Sequence, residues 1–406
     1  MTASSAKADV IIIGGGMVGL SLAIALAQSD VKVAVIDRDN LQSQLLPAFD
    51  GRVSALSLGS QRVLSAMKVW ESLLPQAEPI LDIRVADQDS SSHVHYNYKD
   101  VGDTPMGHMV ENRYIRTALL KRSHELPTLT LLAPMQVSHI QRDAYKAIVT
   151  LNDGSIWHAP LIIAADGKHS KLRLDAGIKT IETSYQQTAI VCTIEHELPH
   201  AGLALERFLP AGPFAALPMQ HNRSALVWTE PEALAPYMLA LNEQDFTNEI
   251  SKRLGDYLGT FKPVGKRFSY PLHLILATRY IDTRFALIGD AAHAIHPIAG
   301  QGVNVGFRDV AALTELILDA MRLGLDIGSQ NLLEHYQRWR RFDSMSMGLI
   351  TDVINRLFSN DIVPIRLARD AGLSLVNSAP PLKRFFMQHA MGLVGDLPKM
   401  MQAQAA

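Results

Sequence analysis

From Val10 to Gln28 no side chain carries a charge, and within that stretch the pattern changes twice. Val10–Ile13 is a β-branched run, which favours a strand. Gly14, Gly15 and Gly16 follow, and three consecutive glycines are costly inside a helix. Met17 to Gln28 is apolar at helical length, and Val31–Asp37 is a second short apolar strand that ends on an acid. Strand, glycine turn, helix and strand-with-acid make a βαβ unit. A run of about 20 apolar residues is also long enough to span a bilayer, and Lys7 gives it the opening of a secretory leader. The β-branched start and the glycine interruption argue against both.

Further along, "RDNLQSQLLPAFDGRVSALS" reads as a loop leading into a helix, with Leu56, Val63 and Leu64 on one face. "DIRVADQD" and "SSHVHYNY" alternate as strands do, and "RYIRTALLKRSHE" has the helical period. "AIVTLNDGSIWHA" predicts a hairpin around Asn152, Asp153 and Gly154. "PLIIAADGKHSKLR" is a buried strand running into a turn and helix. Strand signals dominate from Gln187 to Trp228. "TRFALIGDAAHAIHPIAGQGVNVGFRDVAALTELIL" predicts strand, loop and long helix, and the tail from Gln330 is largely helical. Nucleotide-binding pieces at 10–37, 161–173 and 285–320 therefore alternate with antiparallel-sheet material at about 75–110 and 185–275.

Composition narrows the class. The 406 residues are 48% hydrophobic and 19% charged, a globular balance with room for two domains. A net charge of −2 without a dense basic block argues against a nucleic-acid partner. The single cysteine, Cys192, excludes an internal disulfide, and the expected location is cytoplasmic.

The βαβ unit supplies the first candidate site. Gly14 makes the tight turn, Gly16 lets backbone approach a pyrophosphate, and Gly19 lets the helix pack close to the sheet. The helix start offers free N–H groups to phosphate. Asp37, about 20 residues past the glycines, suits a ribose, with Arg38 beside it. His293 and His296, and His93 and His95, have metal-like spacing but no carboxylate or cysteine partner at ligand spacing, so no metal is expected. Trp157, Trp228 and the methionines read as core packing.

Together, "GGGMVG", "AADGKHSKLR" and "GDAAHAIHPIAGQGVNVGFRD" resemble the FAD-dependent aromatic hydroxylases of the para-hydroxybenzoate hydroxylase type. "FDGRVSALS", "GHMVEN" and "HAMGLVGDLP" look like the ubiquinone-biosynthesis hydroxylases among them, and the likeness runs over nearly the whole chain. The Asp-Gly pair before Arg52 is most similar to members acting on 2-polyprenyl-6-methoxyphenol. The resemblance implies an α/β fold. It has a discontinuous Rossmann-like FAD-binding domain (1–74, 111–184 and 276–345), an inserted antiparallel-sheet substrate domain (75–110 and 185–275) and a helical C-terminal region (346–406).

For the site, the resemblance implies FAD phosphate at Arg52, and flavin contact at Arg113, with Asn112 as its rival. Asp166 and Gly167 would lie near the pyrophosphate, and Asp290 near the ribityl or pyrophosphate region. The flavin ring's N1/O2 edge would meet the helix start at Gly300, Gln301, Gly302, Val303 and Asn304, with Pro297 by its reactive edge. "FLPAGPFAALPM" would lie near the flavin on the substrate side.

The implied activity is hydroxylation of a polyprenylated phenol in ubiquinone biosynthesis through a flavin C4a-hydroperoxide. It would use non-covalent FAD, O₂ and NAD(P)H or another electron donor. The chemistry is flavin-borne, so no catalytic acid or base is expected of the protein. An FAD-dependent prenyl reductase, or a non-catalytic flavin-holding subunit, are the rival readings. A ubiquinone-biosynthesis complex and peripheral contact with the inner membrane are the expected associations. In "PLKRFFMQHAMGLVGDLPKMM", Lys383, Arg384, Phe385, Phe386, Met387, Met391, Leu393 and Val394 either dock outward or pack on the core.

Overall fold

The computed structural model describes residues 5–45, 51–87, 93–295, 300–359, 369, 372 and 374–403. Its centre is a six-stranded sheet in the order Ile281–Asp282, Phe285–Leu287, Leu161–Ala164, Val10–Ile13, Val33–Ile36, Leu129–Leu132. All pairings are parallel except that of Ile281–Asp282 with Phe285–Leu287. Every residue of Val10–Ile13, Val33–Ile36 and Leu161–Ala164 is buried. A parallel sheet covered on both faces requires such unbroken apolar strands. Helix Met17–Ala27, with nine of its eleven residues buried, packs against the long helix Gln301–Arg322. The Ala147–Ala159 hairpin forms as its Asn-Asp-Gly turn implies and pairs at its edge with Ser5–Lys7.

An eight-stranded sheet runs His293–Ala294, Phe261–Ala277, Thr180–His196, Arg223–Pro231, Gly212–Met219, Leu203–Leu209, Asp82–Asp87, His93–Asn97. Its period-2 pattern separates two faces. Ile190, Cys192, Phe214, Leu226 and Trp228 bury against Phe246, Ile250 and Leu254 of helix Glu243–Leu254. Ala189, Val191, Ala215 and Val227 line a cavity instead. Leu203–Leu209 pairs in parallel with Asp82–Asp87, across more than half the sheet's intervening sequence.

A three-stranded sheet of Val53–Ser57, Gly107–Glu111 and Ala77–Ile80 joins the two larger ones. Here the structure departs from the expected helix: Leu56 lies in the strand Val53–Ser57, paired with His108. The helix begins only at Leu58, because the Ser57 hydroxyl accepts the Ser60 N–H and caps it there. The terminal helix Pro380–Ala390 closes this junction. Its Met387, and Met391 just beyond it, bury with Leu58, Ile80, Met106 and Met109, so that part of the tail is core. Phe385 and Phe386 remain exposed.

Candidate cofactor and substrate site

The loops leaving the carboxyl ends of Val10–Ile13, Val33–Ile36, Leu161–Ala164 and Phe285–Leu287 converge, the usual place for a ligand in such sheets. The first is built around absent side chains. Gly14 has φ +111°, and a Cβ there would lie 2.2 Å from the Ala165 carbonyl oxygen. A Cβ on Gly19 would lie 1.9 Å from the Gly14 oxygen, so this helix cannot pack with anything larger. At Gly16 a Cβ would meet nothing within 4 Å: this glycine keeps a space open rather than filling one. Gly16 is also the N-cap of Met17–Ala27 and offers no side-chain cap, which leaves the helix-start N–H groups for a ligand.

A cavity of about 730 Å³ follows this turn past Gly14, Gly16, Asp37, Arg38, Asp166 and Gly167. Asp37 braces the turn, accepting the Gly15 N–H on one oxygen and the Asp39 N–H at 2.8 Å on the other. Arg38 is exposed along the cavity, 4.0 Å from Asp39. Asp166 accepts the Leu172 N–H at 3.2 Å with one oxygen, while its other oxygen is buried with no hydrogen-bond partner. Gly167, at φ +86°, adds a second open position beside it. An uncapped helix start, an orphaned acid oxygen and a braced acid at the strand end form a donor and acceptor set that fits a dinucleotide.

Polar links that motif reading did not anticipate join these loops. Arg173, 3% exposed, donates to the Ala291 oxygen at 2.8 Å and the Lys168 oxygen at 3.0 Å, tying the Asp166 loop to the Asp290 loop. Asp290 is exposed at its surface, and the protein packed around it pushes its carboxyl up against the pull of His293 and Lys168. Behind it, Asp309 accepts the Gly289 N–H at 2.9 Å, His293 Nε2 at 2.6 Å and Arg340 Nε at 2.7 Å. His293 therefore belongs to a buried hydrogen-bond network around Asp309; His296 lies outside the described residues. Among the described residues no group of His, Cys, Asp and Glu is placed to hold a metal. In sequence, only residue type marks these positions, since nothing local says that Asp309 will meet Arg340.

The chain then reaches Gly300, which adopts φ +62° and opens the long helix without a side-chain cap. Asn304 fixes this start: its oxygen accepts from Ser57 N at 3.0 Å and Ser60 Oγ at 2.7 Å, and its nitrogen donates to Ala55 and Gly300. Its amide holds the loop rather than reaching for a ligand. Val303 is half-buried against the main core. A Cβ on Gly302 would meet nothing within 4 Å.

Gly300, Gln301 and Asn304 border a second cavity of about 530 Å³. The inner face of the eight-stranded sheet, including Pro213, Ala215 and Leu217 of "FLPAGPFAALPM", lines its other side. Arg52 lies here, its Nε donating to the Tyr270 hydroxyl at 3.2 Å, and not among the residues lining the glycine groove. Asn112 also lines this cavity, while Arg113 turns away to Glu111 at 2.6 Å and Tyr114 at 2.9 Å. Pro297 lies outside the described residues.

Residues 7–347 match the family described as the FAD binding domain. Ubiquinone hydroxylase UbiL of Rhodospirillum rubrum is 51% identical over 97% of this chain and 91% of its own length. The 3-demethoxyubiquinol 3-hydroxylase of Escherichia coli is 32% identical over 95% of this chain and 98% of its own. Among solved structures, p-nitrophenol 4-monooxygenase PnpA of Pseudomonas putida DLL-E4 shares the fold at TM-score 0.78 and 17% identity, covering 96% of this chain and 98% of that one. Dinucleotide groove, helix start and full-length likeness converge: the chain belongs to the FAD binding domain family and is an FAD-dependent flavoprotein monooxygenase.

Proposed function

We propose that this enzyme hydroxylates the aromatic ring of a polyprenylated phenol in ubiquinone biosynthesis. The supporting observation is the apolar cavity of about 530 Å³ that opens onto an uncapped helix start. Bound FAD, once reduced by NAD(P)H or another donor, supplies the activation of O₂. The residues of this chain bind, orient and exclude water. Gly14, Gly16, Asp166, Gly167 and Asp290 would hold the pyrophosphate and ribityl region, and Asp37 and Arg38 the adenosine end. The N–H groups from Gln301 to Val303 would face the flavin ring, where a positive helix end favours its reduced, negative form. Arg52 and Asn112 border the ring end of the site, and Asn304 keeps the helix start in place. The Asp50-Gly51 pair before Arg52 in the sequence supports 2-polyprenyl-6-methoxyphenol as the first substrate to try.

Incubating the FAD-loaded protein with a short-chain prenylphenol, NAD(P)H and ¹⁸O₂ tests this. One ¹⁸O atom per product is expected. A product with a reduced prenyl chain and no label would favour a prenyl reductase, and no turnover would favour a flavin-holding subunit.

Among the described residues no helix is long and apolar enough to cross a membrane. A prenylated substrate remains in lipid, at about 0.8 kcal/mol per buried methylene. Helix Gln330–Phe358 exposes Phe342, Leu349, Val353 and Leu357, the first of them 79% exposed, and Phe385 and Phe386 are exposed on the terminal helix. These positions support peripheral contact with the inner membrane or with a biosynthetic complex.

A further inference from the structure

The inner face of the eight-stranded sheet contains one acid among the residues lining the apolar cavity. Val191, Val227, Ala215 and Glu206 form one row across four neighbouring strands, paired residue to residue. The next position in the row is Val85. Four of these five side chains are the small apolar groups expected where a sheet faces an apolar space. Glu206 is the exception, and it lines the cavity. Among the described residues neither of its oxygens has a hydrogen-bond or ion-pair partner; burial alone acts on it. Thr229 lines the same cavity, is 1% exposed, and its hydroxyl also lacks a partner. Buried polar groups without partners are rare and destabilising, so the buried Thr229 hydroxyl and the unpartnered, half-buried Glu206 carboxylate on one wall mark the place of a ligand's polar atoms.

Resting on the reading of this cavity as the site for a phenol, we propose that Glu206 is a catalytic residue, the group that receives the substrate's phenolic hydroxyl and takes its proton. In that step the phenolic O–H bond breaks, its electron pair stays on the ring oxygen, and the proton passes to a Glu206 carboxylate oxygen. The pair carries one negative charge before and after. The phenolate oxygen then feeds electron density into the ring carbons that take up oxygen. Burial pushes the Glu206 carboxyl up to about 7, which brings it closer to a phenol, near pKa 10, than an ordinary carboxylate near 4. The other titratable groups lining the cavity are Arg52 and Tyr270, which lie against each other. Arg84 and Arg207 flank the acid along the neighbouring strand positions, and Arg207 is drawn to the Arg253 carbonyl at 2.6 Å.

The test uses FAD-loaded wild type, Glu206→Gln and Glu206→Leu with three probes: 2-geranylphenol, its methyl ether and a ring-fluorinated, more acidic 2-geranylphenol. Binding is read from the flavin spectrum, stability from thermal melting, and turnover from product. Wild type is expected to bind the phenol about tenfold or more tightly than the ether, the effect of a hydrogen bond to a charged group. Glu206→Leu should erase that preference while melting no lower than wild type, because it removes a partnerless acid from apolar surroundings. Glu206→Gln should still bind the phenol but turn it over about 10²-fold more slowly, with the fluorinated phenol recovering much of the loss. Retained preference and turnover in Glu206→Leu would overturn the proposal. Lower melting and flavin loss in both variants would overturn it too, by showing a structural role. If wild type itself neither binds nor converts the phenol, the substrate reading falls and the role of Glu206 falls with it.

Discussion

Asp309 shows how one fully buried side chain organises the loops in front of it. It is fully buried and satisfies a loop N–H, a histidine and an arginine from three parts of the chain. Burial pushes its carboxyl up, but the attraction of His293 and Arg340 and their hydrogen bonds outweigh this and hold it below the usual carboxylate range. A folded-state pKa below the unfolded one gives stability that is complete above about pH 4 and lost as pH falls through the lowered folded value. Asp309→Asn should therefore destabilise the protein at neutral pH, by at most about 3–5 kcal/mol, since it removes the fully buried carboxylate partner of Arg340 and leaves it only the half-buried Asp343. It should also flatten the acid limb of the stability curve. Denaturant titrations across that range, with flavin content measured alongside, check both effects. The glycines of the first turn were legible in sequence because a local turn dictates them. Asp309 and Arg340 were not, because pairing across such distances leaves no local mark.

The long helix Gln301–Arg322 has its start held on three sides while its first N–H groups stay uncapped. Gly302 stands at that start with open space where a side chain would project. Gly302→Trp should leave the fold intact, as judged by circular dichroism, yet abolish FAD retention, as judged by the flavin absorbance near about 450 nm of the purified protein. Normal flavin content in this variant would place the ring elsewhere. The helix itself was legible from its period, as were the βαβ unit and the Ala147–Ala159 hairpin. The segment around Leu56 was not. Its apolar spacing suits a helix, but pairing with Gly107–Glu111 draws it into a strand up to the Ser57 cap. Likewise, nothing local in Leu203–Leu209 announces a parallel partner as remote as Asp82–Asp87.

At the scale of the whole molecule, alternation of nucleotide-binding and sheet segments was visible in the sequence, whereas the cavity between them was not, since nine strands scattered along the chain contribute residues to it. The parallel sheet sets Leu161–Ala164 between Val10–Ile13 and Phe285–Leu287, so its central contacts have very long sequence separation. Such topologies fold slowly and late. Helix Gln330–Phe358 contributes late to this region: Tyr336 donates to the Leu287 oxygen at 2.8 Å, and Arg340 closes onto Asp309. A chain ended after Ser329 lacks both and should emerge unable to retain FAD, which ribosome-stalled chains of graded length would reveal as a sharp gain of flavin only beyond Arg340. The Arg340–Asp309 contact would then date the acquisition of cofactor. On that outcome, a nascent polypeptide with its glycine turn already formed would stay colourless until Arg340 had joined Asp309, and unfinished fragments would not spend reducing power on oxygen.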